Sequence, residues 1–353
     1  MMNNLQEVLS TIVAGGSLTV EQTKEALDLI MSGEADPIQT GAMLAMIAQR
    51  HATVEEITGA VLAMRERVLP VEVPEGMTAI DTCGMGGTKS RFFNISTAAA
   101  IVTAGAGREH GLCVAKHGNR AITSRTGSSQ VIEVLGVNLT VEPEVITQCL
   151  AEAGIGFCFA PAHHAAMRHA MPVRQALGFR TLLNLIGPLT NPAFVKRQLV
   201  GVPSVELLET IAEVLSNLGA THAMVVHSEL PDGSKLGEMT AFAPTQVAEL
   251  HNGMIKHHKV DPQMYGLSYA VPESIEVSSP DESAELIKGI LAGDKGPARD
   301  IVLLNAAAAL VIGGVAKDFA HGLDMATESV DRGVASDALA KLVQITSKAT
   351  AHQ

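Results

Sequence analysis

Asp81-Thr-Cys-Gly-Met-Gly-Gly-Thr-Lys-Ser-Arg-Phe-Phe-Asn-Ile-Ser-Thr97 places three glycines between a short apolar pair, Ala79-Ile80, and the small-residue run Ala98-Ala-Ala-Ile-Val-Thr-Ala104. The pair reads as the end of a buried strand, and the run as a closely packed helix. Gly84, Gly86 and Gly87 lack a Cβ, so backbone N–H groups can approach an anion closely. Asn94, Ser96 and Thr97 stand just before the run as cap candidates, where free N–H groups at a helix N-terminus attract phosphate. Strand, glycine loop and helix in this order predict an α/β unit with an anion site at a strand end.

A second strand-like segment, Gly111-Leu-Cys-Val-Ala115, runs into the cationic turn Lys116-His-Gly-Asn-Arg120. Further along, strand-like runs (77–82, 112–115, 156–160, 222–226) alternate with helical stretches (97–106, 129–135, 143–153, 205–218). That alternation predicts a mainly parallel sheet covered by helices, with ligands beyond the carboxyl ends of the strands. The first seventy or so residues differ. Thr19 with Gln22 and Thr53 with Glu56 match the capping box, and Gly15-Gly16, Gly33 and Pro37 punctuate successive helices. The expected fold class is α/β, with a small N-terminal all-helical domain (1–72) and a larger α/β domain with a mainly parallel central sheet (77–345). Val71-Glu-Val-Pro-Glu-Gly76 reads as the linker.

With 353 residues, 47% of them hydrophobic, the chain can bury a large core. A formal net charge of −12 excludes a general nucleic-acid or anionic-membrane surface, so any anion site must be local. Cys83, Cys113, Cys149 and Cys158 lack paired ligand spacing and read as reduced thiols, Cys83 as a small packing residue. No basic segment followed by an apolar stretch opens the chain and no apolar run reaches spanning length, so a soluble cytoplasmic protein is expected. His251, His257 and His258, taken on a helix face over 249–264, lack the partners of a metal site and read as surface histidines.

Several motifs together resemble the anthranilate phosphoribosyltransferase family, within glycosyltransferase family 3 and similar in fold to the class II nucleoside phosphorylases. They are Gly84-Met-Gly-Gly87, Asn94-Ile-Ser-Thr97, Lys116-His-Gly-Asn-Arg120, Gly127-Ser128, Phe157-Cys-Phe-Ala-Pro161 with His164, and Arg180-Thr-Leu-Leu-Asn-Leu-Ile-Gly-Pro-Leu-Thr-Asn-Pro192. The resemblance covers most of the chain. It implies an enzyme that joins the phosphoribosyl group of phosphoribosyl pyrophosphate to anthranilate in tryptophan biosynthesis, releasing pyrophosphate. Gly84, Met85, Gly86, Gly87, Thr88, Asn94, Ser96, Thr97, Lys116 and Ser124 would then hold the donor. Gly84, His117, Asn119, Arg174 and Pro188 would receive the acceptor, the guanidinium meeting its carboxylate in a planar, bidentate contact. His164 fits either a core hydrogen bond or a substrate contact. No residue is assigned as a catalytic acid or base. The resemblance further implies a homodimer formed through the helical domain and a hinge near 174–200.

The sequence departs from the family where the metal would sit. Met85 replaces a threonine and Thr88 an aspartate; the usual Asp-Glu pair is Gly237-Glu238; Gln130 stands for an acid after Gly127; and the turn 108–111 is lengthened. Carboxylates are the preferred ligands of Mg²⁺. Their loss leaves one ion on Ser96 and Glu238 and puts a second in doubt. Lys89 or Arg91 would then supply part of the missing positive charge. The same losses suit a divergent paralogue that uses another aromatic or nucleobase-like acceptor or phosphate, or a non-catalytic ligand-binding homologue.

Overall fold

A computed structural model describes residues 5–87, 91–120 and 127–350. Four helices open the chain: α1 (Gln6–Val13), α2 (Val20–Ser32), α3 (Pro37–Arg50) and α4 (Val54–Arg65). Their boundaries follow from capping. Both expected capping boxes form, Thr19 with Gln22 and Thr53 with Glu56. Asp36 accepts from the amides of Ile38 and Gln39 at 2.9 and 3.0 Å and starts α3, with Pro37 in its first turn. Gly33, at φ 83°, ends α2 in the left-handed conformation that a side chain would strain.

The apolar stripes of these helices bury Leu27, Ile30, Leu44, Ile47, Ile57 and Val61. They pack against later segments of the same chain, including Leu182, Leu183, Ile186 and Leu189, and Ile211 and Leu215 of the helix Leu207–Asn217. The helical unit is thereby anchored to the face of the sheet that the helix Leu207–Asn217 covers.

Eight strands form one sheet: β1 (Thr78–Asp81), β2 (Leu112–Gly118), β3 (Ile155–Phe159), β4 (Arg197–Gly201), β5 (His222–Glu229), β6 (Lys235–Leu236), β7 (Thr245–His251) and β8 (Met254–Val260). Their order is β3-β2-β1-β4-β5-β7-β8, with β6 beside β5. The first five are parallel and the remainder antiparallel. Side chains alternate between two cores, as strand geometry requires. Ile80, Val114, Leu199, Met224 and Val226 face the core built by α5 (Ile95–Gly107) and the helix Pro297–Gly313. Val200, Ala223 and Val225 face the core shared with the helical unit. Coverage on both faces explains why these strands read as continuous apolar runs.

Strand order reverses between β1 and β4: the chain runs outward through β2 and β3, then returns to place β4 on the other side of β1. Beyond the carboxyl ends of β1 and β4 a crevice opens, the usual ligand position in such sheets.

One element differs in kind from the sequence expectations. The segment 249–264 is largely a β-hairpin, with Asn252 and Gly253 at φ 49° and 79° forming its turn. Asn-Gly accepts positive φ at both central positions and matches the twist of the flanking strands. The histidines thus lie on strands: His251 stacks on His222 with ring centroids 4.2 Å apart, while His222 Nε2 donates to Glu249 Oε1 at 2.8 Å. The lengthened turn at 108–111 folds as a 3-10 turn, Arg108–His110, closed by Gly111 at φ 77°.

Candidate active site

The crevice is built on glycines. Met85 N–H donates to Gly201 O at 2.8 Å, tying the first loop to the end of β4. A Cβ on Gly201 would stand 1.5 Å from the carbonyl oxygen of Gly237, so only glycine lets those two backbones cross. A Cβ on Gly87, at φ 88°, would meet the Arg180 guanidinium at 1.8 Å. The resulting cleft of about 340 Å³ is lined by Cys83, Gly84–Gly87, Asn94, Ser96, Lys116–Arg120, Arg174, Arg180, Pro188 and Glu238, among others. It brings together the sequence-predicted residues that lie within the described regions, apart from the inward-facing Thr97. Thr88 and Ser124, like Lys89, lie outside those regions.

At its floor Lys116 is only 1% exposed, and its ammonium donates to the carbonyls of Thr82 and His117 at 3.3 and 3.4 Å. Asp81 lies behind it, fully buried. One carboxylate oxygen accepts from the His117 amide at 3.2 Å and the other from Asn191 Nδ2 at 2.8 Å, while that same amide nitrogen donates to Ala115 O at 2.7 Å. Burial pushes the Asp81 carboxyl up, and Lys116 and these donors oppose the rise. The clamp fixes β1, β2 and the 187–192 segment around one point.

His117 and His164 face each other with centroids 5.2 Å apart. Neither ring has a hydrogen-bond partner of full geometry among the described residues; the nearest backbone contacts are Gly187 for His117 and Thr190 for His164. Burial, followed by the neighbouring histidines and Lys116, holds His117 well below the usual imidazole range. Burial brings His164 down to about 4. Both rings are therefore neutral at physiological pH.

Arg174 and Arg180 also line the cleft. Burial lowers both from the ordinary guanidinium value, and Arg180 lowers Arg174 further. No carboxylate pairs with either among the described residues; Arg180 donates only to Met85 O at 3.3 Å, and Arg174 makes a long contact to Met171 Sδ. Two unpaired guanidiniums at a cleft wall form an anion receptor. Arg180 had been read only as part of a motif. Its signal was the need for Gly87 beneath it, which sequence spacing does not disclose.

Glu238 is half-buried, open toward the cleft and enclosed elsewhere. Burial pushes its carboxyl up to about 7, against the Ser96 amide and the Lys116 charge. Such an oxygen ligand beside Ser96 fits a hard cation that takes its other ligands from phosphates and water.

Three expectations are narrowed. The Met85 amide is committed to Gly201 and its side chain packs in the core shared with the helical unit, leaving only its carbonyl at the site. Arg91 pairs with Glu276 at 3.9 Å and is not among the residues that line the cleft. Asn94 begins α5 without a side-chain cap bond. Instead its N–H donates to Ser283 Oγ at 3.0 Å, and that hydroxyl donates back to Asn94 Oδ1 at 3.1 Å. Ser283→Ala is therefore expected to raise the KM for the phosphorylated substrate about three- to tenfold, equivalent to about 1 kcal/mol, the part of the two lost bonds that loosening of Asn94 passes on to the ligand, with kcat near the parent value. Steady-state kinetics with that substrate varied checks this, and an unchanged KM would remove Ser283 from the account.

The glycosyl transferase family a/b domain matches residues 76–336, and the helical bundle domain of the same family matches residues 6–68. Anthranilate phosphoribosyltransferase of Teredinibacter turnerae is 43% identical over 347 residues, covering 97% of this chain and 99% of the relative. The Thermomicrobium roseum enzyme is 45% identical over 338 residues, with 95% of each covered. Among solved structures, anthranilate phosphoribosyltransferase of Thermus thermophilus superposes with a TM-score of 0.88 at 36% identity, covering 97% of this chain and 99% of that one. The Saccharomyces cerevisiae enzyme, solved with PRPP and Mg, gives 0.86 at 25% identity and 98% coverage of both chains.

Proposed function

Because the chain belongs to the anthranilate phosphoribosyltransferase family, we infer that it joins the phosphoribosyl group of phosphoribosyl pyrophosphate to anthranilate with release of pyrophosphate, a step of tryptophan biosynthesis. The observation that carries this inference is the presence, in one cleft, of the buried Lys116 and two guanidiniums that have no carboxylate of their own among the described residues. One end receives a polyanion and the other a carboxylate.

In the proposed arrangement the pyrophosphate lies over the glycine loop and beside the start of α5, within reach of Lys116. The acceptor carboxylate meets Arg174, supported by Arg180, and its ring lies toward His117, Asn119 and Pro188. Transfer breaks the bond from the anomeric carbon to the pyrophosphate oxygen and forms one to the anthranilate nitrogen, with positive charge developing on the ribose. Holding both reactants in line supplies much of the acceleration, and the fixed cations stabilise the departing charge. Glu238 and Ser96 would hold one Mg²⁺, which supplies further neutralisation of the pyrophosphate. Neutral His117 and His164 leave the acceptor side without extra charge, which lets the aromatic ring enter.

Calorimetric titration with phosphoribosyl pyrophosphate, with and without Mg²⁺, followed by loss of anthranilate fluorescence, tests this function. Absence of donor binding would overturn it. Arg174→Lys is expected to raise the anthranilate KM about tenfold or more with the donor KM unchanged, because an ammonium cannot make the bidentate contact. Equal effects on both KM values would place the arginine elsewhere.

We also propose a homodimer through the helical unit, where Val13 and Ile38 are 74% and 82% exposed. No helix among the described residues is long and apolar enough to cross a membrane. A cytoplasmic location is proposed on the biosynthetic role.

A further inference from the structure

We propose that Asp81, Cys83 and His117 form a site for one soft or borderline divalent cation, Zn²⁺ or Co²⁺, distinct in chemistry from the oxygen site at Glu238. One ligand atom from each residue lies within 4.8 Å of the other two. Zinc takes carboxylate oxygen, thiolate sulfur and imidazole nitrogen at roughly 2.0–2.3 Å, so small rotations of Cys83 and His117 would close the set on one ion. Mixed sulfur and nitrogen donors do not suit Mg²⁺.

A second observation points the same way. The His117 ring is 3% exposed, yet neither nitrogen has a full hydrogen-bond partner among the described residues. Buried polar atoms are rarely left so, and a metal would satisfy one of them. Among the described residues the Cys83 thiol makes only a long contact to its neighbouring carbonyl, Gly84 O, at 3.7 Å. Supporting contacts are already in place. The Asp81 oxygens accept from the His117 amide, Asn191 and the Thr82 amide, which leaves the carboxylate a lone pair for a metal; outer hydrogen bonds of this kind orient ligating carboxylates.

Cys83 and His117 line the cleft, so an ion enters from solvent and keeps its fourth position toward the substrate space. On binding, the Cys83 S–H bond gives its proton to the buffer and the thiolate pair goes to the metal. The neutral imidazole contributes a nitrogen lone pair, and no electron transfer is involved. Carboxylate and thiolate balance the dication, while the Lys116 ammonium remains turned to the Thr82 and His117 carbonyls. Binding takes His117 away from the acceptor side, so the ion acts as an inhibitor.

The test uses the full chain with Co²⁺ as an optical probe, which needs no substrate and so separates this site from the enzymatic function. Expected is one Co²⁺ per chain with a thiolate-to-cobalt charge-transfer band that Zn²⁺ displaces and that is missing in both Cys83→Ser and Cys83→Ala, each checked for parental melting. In the transferase assay at saturating Mg²⁺, Zn²⁺ should inhibit the parent reversibly on chelation. Relative to its own uninhibited rate, each variant should need at least tenfold more Zn²⁺. A parent without the band, a band that persists in the variants, or equal zinc sensitivity would each overturn the site.

Discussion

Lys116→Met is expected to weaken binding of phosphoribosyl pyrophosphate by about tenfold to a hundredfold, with the donor-independent fold intact. A charge-assisted bond to a phosphate oxygen contributes about 1.5–3 kcal/mol, and burial removes the screening that makes surface lysines interchangeable. The ammonium is enclosed at 1% exposure and, among the described residues, bonded only to two carbonyls, leaving a donor for the ligand. Methionine keeps length and apolar contact, so lost charge is the main difference. Calorimetry at low and high salt measures it, and unchanged donor affinity would show that the phosphates bind elsewhere.

The second large effect belongs to stability. The Glu56 carboxylate, fully buried, accepts from the amides of Leu18 at 2.9 Å and Thr53 at 3.0 Å and is paired with Arg50 through both guanidinium nitrogens. Glu56→Ala strands Arg50 and two amides and is expected to cost about 3–5 kcal/mol. Burial alone would raise the Glu56 carboxyl, but Arg50 and the amides more than reverse this and hold it below 4.5. A depressed acid contributes stability above its unfolded value, and that contribution fades as pH falls through the lower folded value. Melting of the parent should therefore decline more steeply than that of Glu56→Gln below about pH 4.5. Parallel curves would sink the assignment.

The donor side of the cleft was legible because the glycines follow β1 and the Asn94-Ile-Ser-Thr97 run opens α5, although Lys116 lies within β2, which continues to Gly118 instead of ending at Ala115 in a turn. β4 was hidden, since a strand beginning Arg197-Gln198 offers little apolar signal, and so the residues around it read as hinge. The β7–β8 hairpin carried its own mark in Asn252-Gly253, outweighed by attention to histidines at helix spacing. Arg180 and Ser283 could not be read. One depends on an empty Cβ position and the other on a contact across 189 residues.

That last contact bears on how the protein is made. The glycine loop leaves the ribosome early, yet its seat on Gly201, the Glu238 carboxylate and the Ser283 tether all emerge later. A nascent chain arrested before the helix Pro280–Leu291 would carry the whole glycine motif without the partner that fixes Asn94. Substrate cannot help such a chain fold, because the pocket that would reward binding does not yet exist. Completion of the cleft becomes a late event of synthesis, and truncation far downstream of the motif disables it.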